Sequence, residues 1–122
     1  MSISTQRLYD LCVNKFGGQA GDRLKPLFIE AVNNVQRDLT LRSHVSGLTS
    51  VTSEATDIAV DADYEGVVLS GIFYYLQRDY EWASDDERDY QAEYYAGLRL
   101  VQGQYFVDAT DNEVYARLGD LS

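Results

Sequence analysis

The chain has 122 residues, of which 45% are hydrophobic and 25% charged, and its formal net charge is -10. This composition is typical of a globular protein and excludes a disordered chain, while the length predicts one domain with a single core. The acidic excess lies in residues 54–93, which carry twelve acidic against two basic side chains. A binding site for nucleic acid needs a basic groove, which this charge distribution disfavours.

The first predicted helix begins after Ser4, whose hydroxyl is a good N-cap, with Ile3 and Leu8 placed to form a hydrophobic staple. Cys12, the only cysteine, falls on the apolar side of this helix. It is therefore predicted to be a buried thiol in a reducing compartment rather than a nucleophile. The pair of glycines at 17–18 is predicted to end the helix.

A second amphipathic helix is predicted from Pro26, which suits a first helical turn, to about Arg42, after a loop at 19–25. Its apolar stripe consists of Phe28, Ala31, Val32, Val35 and Leu39. His44 is the only histidine and follows this helix, so a surface or capping role is favoured over catalysis.

Residues 43–60 have a different pattern, rich in serine, threonine and β-branched side chains and without helical periodicity. This pattern predicts either a short β-hairpin or two short extended segments, with a turn near Ser53–Glu54.

The third helix is predicted to start at Asp61, an N-cap, with Asp63 and Glu65 in its first turn. These acids imitate the opening of an EF-hand loop, but Ile72 occupies the position of the required bidentate glutamate, so the cap interpretation is favoured. Residues 67–76 are apolar around nearly the whole helix. Such a helix must be covered on all sides, and we expect copies or partners to supply part of that cover.

The fourth helix is predicted from the capping box Ser84 to Glu87, close enough to the third for an antiparallel hairpin. Its inward stripe consists of Tyr90, Tyr94, Leu98, Val101 and Tyr105. The predicted fold class is mainly α, a small bundle of about four helices with a short β-hairpin or extended insertion at about 43–60. Residues 1–107 form the helical domain, and 108–122 form a C-terminal docking tail.

The sequence contains no catalytic constellation, metal-ligand spacing or phosphate loop, so we expect no enzymatic activity, no cofactor and no metal site. Four acids in one turn, Asp85, Asp86, Glu87 and Asp89, indicate a solvated helix start rather than a hydrolytic or metal-binding set. No signal peptide is apparent, and the longest uncharged run, 66–77, is too short to span a bilayer. We therefore expect a soluble protein assembled in the cytoplasm.

Ten tyrosines are the strongest compositional oddity, and four of them form the adjacent pairs 74–75 and 94–95. Neighbours on a helix point about 100° apart, so one ring of each pair leaves the core stripe. These outer rings either pack on the extended segment or lie on the surface, or they anchor an interface.

The acidic helix start at 57–66 (DIAVDADYEG) and the following stretch from Val67 to Val101 carry a family resemblance. A Tyr64-Glu65 pair precedes an apolar helix that holds Gly71, and a tyrosine-rich helix comes next. This order resembles the head-to-tail adaptor, or connector, proteins of tailed bacteriophages, over most of the chain from about Leu8 to Val107. The tail after Asp108 has no matching pattern.

The resemblance implies a structural virion protein at the head-tail junction: a ring of about twelve copies under the portal, joined to the tail or the next connector protein. DNA would pass through its channel without specific binding, repelled by acids within about 8 Å, the Debye length. The candidates for the channel lining are Asp85, Asp86, Glu87 and Asp89. The candidates for subunit or portal contacts are Tyr74, Tyr80, Tyr95, Tyr115 and Leu118. The alternative is an acidic helical protein-binding or regulatory module without enzymatic activity.

Overall fold

The computed structural model describes residues 2–80 and 89–103, without the side chains of Gln19, Asp79 and Tyr80. Within these ranges there are four α-helices: α1 Thr5–Ala20, α2 Leu24–Arg42, α3 Glu65–Tyr80 and α4 over 90–103. Short 3-10 turns, Gly21–Arg23 and Ala62–Tyr64, lead into α2 and α3. The predicted mainly helical bundle is confirmed, and none of the helices in this part of the chain is long and apolar enough to cross a membrane.

The start of α1 agrees with the prediction, but its end does not. The Ser4 hydroxyl accepts a hydrogen bond from the Arg7 backbone N–H at 3.3 Å, and Ile3 and Leu8 are fully buried. The helix continues through both predicted stop residues, Gly17 and Gly18, and ends at Gly21, whose φ is 57°. A glycine inside a helix costs only about 1 kcal/mol, whereas the left-handed conformation that ends a helix strongly favours one.

Helix α2 extends to Arg42 as predicted, with Pro26 in its first turn and its apolar stripe buried. The predicted loop at 19–25 is wrong, because the end of α1, the 3-10 turn and the start of α2 follow one another directly. His44 is exposed and has a φ of 60°, and it leads the chain out of the helix. The predicted surface position of this histidine is confirmed.

The segment 43–60 is an extended return along α2, not a hairpin. Asn33 holds Val51 at both ends, since its amide donates to the Val51 carbonyl at 2.9 Å and accepts from the Val51 N–H at 2.8 Å. Gln36 donates to the Thr49 carbonyl at 2.8 Å. Side-chain amides of α2 thus take the place of a partner strand. The predicted turn is confirmed by a hydrogen bond from the Thr56 N–H to the Ser53 carbonyl at 3.2 Å.

The end of this segment joins the start of the chain. Ile3 and Ile58 exchange two backbone hydrogen bonds of 2.9 and 3.0 Å in an isolated antiparallel bridge, and no β-strand occurs in the described ranges. The Thr5 hydroxyl donates to the Thr56 carbonyl at 2.5 Å. Asp61 then caps the turn into α3 by accepting from the Asp63 N–H at 3.0 Å. The cap interpretation of the acidic series is therefore confirmed.

Helices α3 and α4 pack as the predicted antiparallel pair, because contacts that advance along α4 retreat along α3. The Phe73 and Tyr90 rings lie 5.2 Å apart, and further along α4 Tyr94 packs on Gly71. A Cβ added to Gly71 would lie 2.5 Å from Tyr94 Cε1, and one added to Gly97 would lie 2.7 Å from a Val67 methyl. The two glycines therefore set how closely these helices approach.

The expectation that α3 needs other copies to cover it is wrong. Within one chain its residues Val68, Ile72 and Leu76 are fully buried, and Phe73 and Tyr75 nearly so. The Phe16 ring of α1 packs edge-on against Phe73 at 5.6 Å, α2 and α4 pack on other sides, and Val67, Leu69 and Tyr74 are partly buried. The exposed large apolar side chains in the described ranges lie on other helices, at Val13, Leu41 and Leu100.

Helix α4 begins at 90, after the predicted capping box. Asp89 is its N-cap, because its carboxylate accepts from the Ala92 N–H at 3.1 Å. Ser84 and Glu87, the predicted cap pair, lie in the gap between the described ranges, and the predicted tail at 108–122 lies beyond them. The buried stripe of Tyr90, Tyr94, Leu98 and Val101 is confirmed, and Tyr105, its predicted last member, lies outside the described residues.

Candidate functional site

The acids predicted to line a channel fall largely beyond what the structure describes. Asp85, Asp86 and Glu87 lie in the gap between α3 and α4. Asp89 is exposed, and one of its carboxylate oxygens accepts the hydrogen bond that caps α4. A place for these side chains in a channel stays a prediction.

Of the predicted interface residues, Tyr74 and Tyr95 are described, whereas the Tyr80 side chain, Tyr115 and Leu118 are not. The Tyr74 and Tyr95 rings are half-buried, with their centroids 5.9 Å apart. A hydrogen bond between the two hydroxyls raises the pKa of Tyr95. The outer rings of the two pairs therefore pack against each other, and each keeps part of its surface open.

The inner rings, Tyr75 and Tyr94, converge on one carboxylate. Asp38 of α2 accepts a hydrogen bond from each of their hydroxyls, at 2.8 Å for Tyr94. Burial raises the pKa of both tyrosines, and the hydrogen bond to Asp38 raises it further. Both hydroxyls are thus held neutral as donors to an acceptor on α2. This tyrosine cluster, Tyr74, Tyr75, Tyr94 and Tyr95, joins three helices around Asp38.

Two arginines flank the tyrosine cluster. The Arg78 guanidinium lies 4.7 Å from the centre of the Tyr75 ring, and the Arg42 guanidinium lies 5.3 Å from that of Tyr95. A cation over an aromatic face is stabilised by the ring quadrupole, by about 0.5–1 kcal/mol at exposed sites. The rings therefore help to fix where these positive charges lie.

An open pocket adjoins Arg42 where the end of α2 meets the second half of α4. It has a volume of about 360 Å³ and is lined by Arg42, Tyr95, Leu98, Arg99 and Gln102. The Ser43 hydroxyl fixes this junction by donating to the Leu98 carbonyl at 2.9 Å. Both arginines are exposed, and the lining that the structure describes includes no carboxylate. We call this site the arginine pocket.

The arginine pocket suits an anionic group. Guanidinium stays charged at any physiological pH and can donate paired hydrogen bonds to one carboxylate. Arg42 lies in the last turn of α2, where the helix dipole favours the guanidinium but opposes an anion, so the attraction for a carboxylate comes from the two arginines. The site has the means to bind a carboxylate, with donors on two helices above the buried Leu98.

Other chemistry is sparse in the described ranges. No group of three or more histidine, cysteine, aspartate or glutamate side chains there is placed to hold a metal ion. Cys12 is fully buried, which raises the pKa of its thiol to about 12. The predicted buried position of this cysteine is confirmed.

Sequence reasoning missed Asp38, Gly97 and the two pocket arginines. Asp38 follows Val35 by three residues and so continues the buried stripe of α2, a pattern that signals a buried polar partner. Gly97 is a small residue on a tyrosine-rich helix, and such a residue indicates that a neighbouring helix approaches closely. Arg42 and Arg99 carry no such signal, because they lie on different helices and meet only in the fold.

Comparison with protein-family models, with curated proteins and with solved structures finds no match to this chain.

Proposed function

We propose that this chain is a structural head-to-tail adaptor of a tailed bacteriophage, which assembles as a ring under the portal at the head-tail junction of the virion. It extends the DNA channel, joins the capsid to the tail or the next connector protein, and has no enzymatic activity. Assembly takes place in the host cytoplasm.

The observation that carries the proposal is the packing of Gly71 against Tyr94. The family resemblance rests on an apolar helix with a small residue followed by a tyrosine-rich helix, and in this chain those residues pack directly on each other. A Cβ at Gly71 would also lie 2.8 Å from Val35 of α2. The pattern thus has a structural role, which is to bring three helices together at one point.

The charge distribution also supports the proposal. The acids at 85–87 and 89 form the densest run in a chain with a formal net charge of -10. In a ring of about twelve copies, such a run at the inner wall would repel a DNA duplex within about 8 Å at physiological salt. Repulsion keeps the duplex from adhering during ejection of the genome.

The proposal is tested by electron microscopy of the full chain, alone and mixed with a candidate portal protein. We expect rings that dock coaxially on the portal. A charge reversal of Asp85, Asp86 and Glu87 to lysine is expected to leave the rings intact and to impair genome passage. A chain that stays monomeric with and without the portal would contradict the proposal.

The burial of α3 within one chain favours a second function. Since the described part of one chain buries most of that helix, α3 by itself sets no requirement for assembly. An acidic helical protein-binding or regulatory module fits this observation, with the half-buried outer rings Tyr74 and Tyr95 as part of the contact surface. Light scattering separates the two functions, because such a module keeps the mass of one chain in every mixture that lacks its partner.

A further inference from the structure

The arginine pocket is a positively charged site on a strongly acidic protein. The chain carries 20 acidic and 10 basic side chains, yet two arginines line this one pocket. Leu98 at its base is 4% exposed. Charged donors around an apolar base are the arrangement that binds an acidic peptide, because the donors fix a carboxylate and the base takes up neighbouring apolar atoms.

An acidic segment of matching character lies in the same chain. Residues 108–113 (DATDNE) hold three carboxylates, Asp108, Asp111 and Glu113, and no basic side chain. Val114 and Tyr115 follow immediately and supply apolar surface. The described part of α4 runs to 103, and Asp108 follows five residues later, a stretch that can span at most about 18 Å.

We propose that the arginine pocket of one copy binds the acidic segment 108–113 of a second copy. The proposal rests on the proposed ring, in which each copy must present two different surfaces to its two neighbours. The pocket of one copy and the segment of the next copy make such a head-to-tail contact. A chain of these contacts closes into a ring when the rotation between neighbouring copies is a whole fraction of 360°. Arg42 and Arg99 each bind a carboxylate of the neighbour.

The other acidic run is assigned a different place. Residues 85–87 precede Asp89 at the far end of α4, and the proposed channel requires them on the inner wall. They therefore provide a matched control, with the same number of charges to reverse and no expected effect on association.

The test is a charge exchange in the full chain, followed by sedimentation velocity. The pocket variant carries Arg42→Glu and Arg99→Glu, and the segment variant carries Asp108→Lys, Asp111→Lys and Glu113→Lys. Each variant alone places like charges at the contact, so we expect its self-association to weaken by at least about tenfold. An equimolar mixture restores complementary charges at every contact and is expected to associate as the wild type does.

The mixture makes the test independent of folding, since two variants that associate only with each other must both be folded. The reversal of Asp85, Asp86 and Glu87 is expected to keep wild-type association. Variants that remain dispersed when mixed, with native circular dichroism, would overturn the proposal, and so would a wild-type chain that does not self-associate. Rings of either variant on the portal would overturn the pocket contact while leaving the adaptor function standing.

Discussion

The two faces of α4 make opposite kinds of surface. The inner face is buried, with Tyr90 at 3% and Tyr94 at 0% exposure, and its rings pack on α3 while the Tyr94 hydroxyl donates to Asp38. The outer face is open, with Leu100 at 71% exposure and Arg99 lining a pocket. In the described ranges the inner face is thus covered within the chain, whereas the outer face offers charge to partners. Association through such a surface is expected to weaken with salt.

The largest expected effect is on the buried inner face, from Asp38→Ala. The substitution leaves the buried hydroxyls of Tyr75 and Tyr94 without an acceptor, and hydrogen bonds to a charged group are among the strong ones. We expect a loss of about 3 kcal/mol in the free energy of unfolding, measured by urea denaturation. Asp10→Ala is the control, because Asp10 is exposed and accepts only from Gln6 one turn earlier. Equal losses in the two variants would show that Asp38 does not hold the cluster.

Gly71→Ala tests the close approach of α2, α3 and α4. The added Cβ would meet Tyr94, a buried ring whose hydroxyl is fixed, so overpacking outweighs the gain in helix propensity. The expected net loss is about 2 kcal/mol by thermal or urea unfolding. Gly18→Ala, with nothing within 4 Å of its added Cβ, is expected to stabilise the chain slightly instead. A neutral Gly71→Ala would mean that the helices separate at little cost.

Alkaline pH tests the same cluster without a volume change. Tyr75 and Tyr94 have a pKa raised above the usual 10.0, so the unfolded chain releases these protons first. Their contribution to stability is complete below pH 10 and falls as the pH rises above it. Tyr94→Phe removes one such group, and we expect its stability to decline less steeply, by about 1.4 kcal/mol per pH unit. Urea midpoints at several pH values above 10 measure this slope, and parallel curves would contradict the assignment.

The smallest expected effect is on the open outer face. Arg99→Ala removes an exposed side chain that lines a pocket, so the free energy of unfolding is expected to change by less than about 0.5 kcal/mol. The same variant is expected to weaken self-association measurably. A large loss of stability would mean that the two faces of α4 do not differ in the way their exposure indicates.

Local signals in the sequence predict most of the fold. Ser4 and Asp61 mark helix starts through capping hydrogen bonds that form as expected, and Pro26 lies in the first turn of α2. The predicted end of α1 was wrong because two adjacent glycines resemble a stop, whereas of Gly17, Gly18 and Gly21 it is Gly21 that has a positive φ. The hairpin alternative was not realised because Asn33, distant in sequence, binds the backbone of Val51.

The periodicity of the sequence could predict neither the burial of α3 by its neighbours nor the arginine pocket. Periodicity shows how apolar one helix is, but it does not show which neighbouring residues cover that helix. The packing of Phe16, Val35 and Tyr94 on α3 was therefore not predicted. The pocket depends on Arg42 and Arg99 meeting across two helices, which requires the crossing of α2 and α4. Both are properties of the packing, which single elements do not reveal.

Electron microscopy of the full chain mixed with a candidate portal protein tests the central claim most directly, with the pocket variant imaged beside the wild type. The account predicts closed rings of the wild type, seated coaxially on the portal, and few or none of the variant. Single chains in both samples, with the portal face bare, would contradict it.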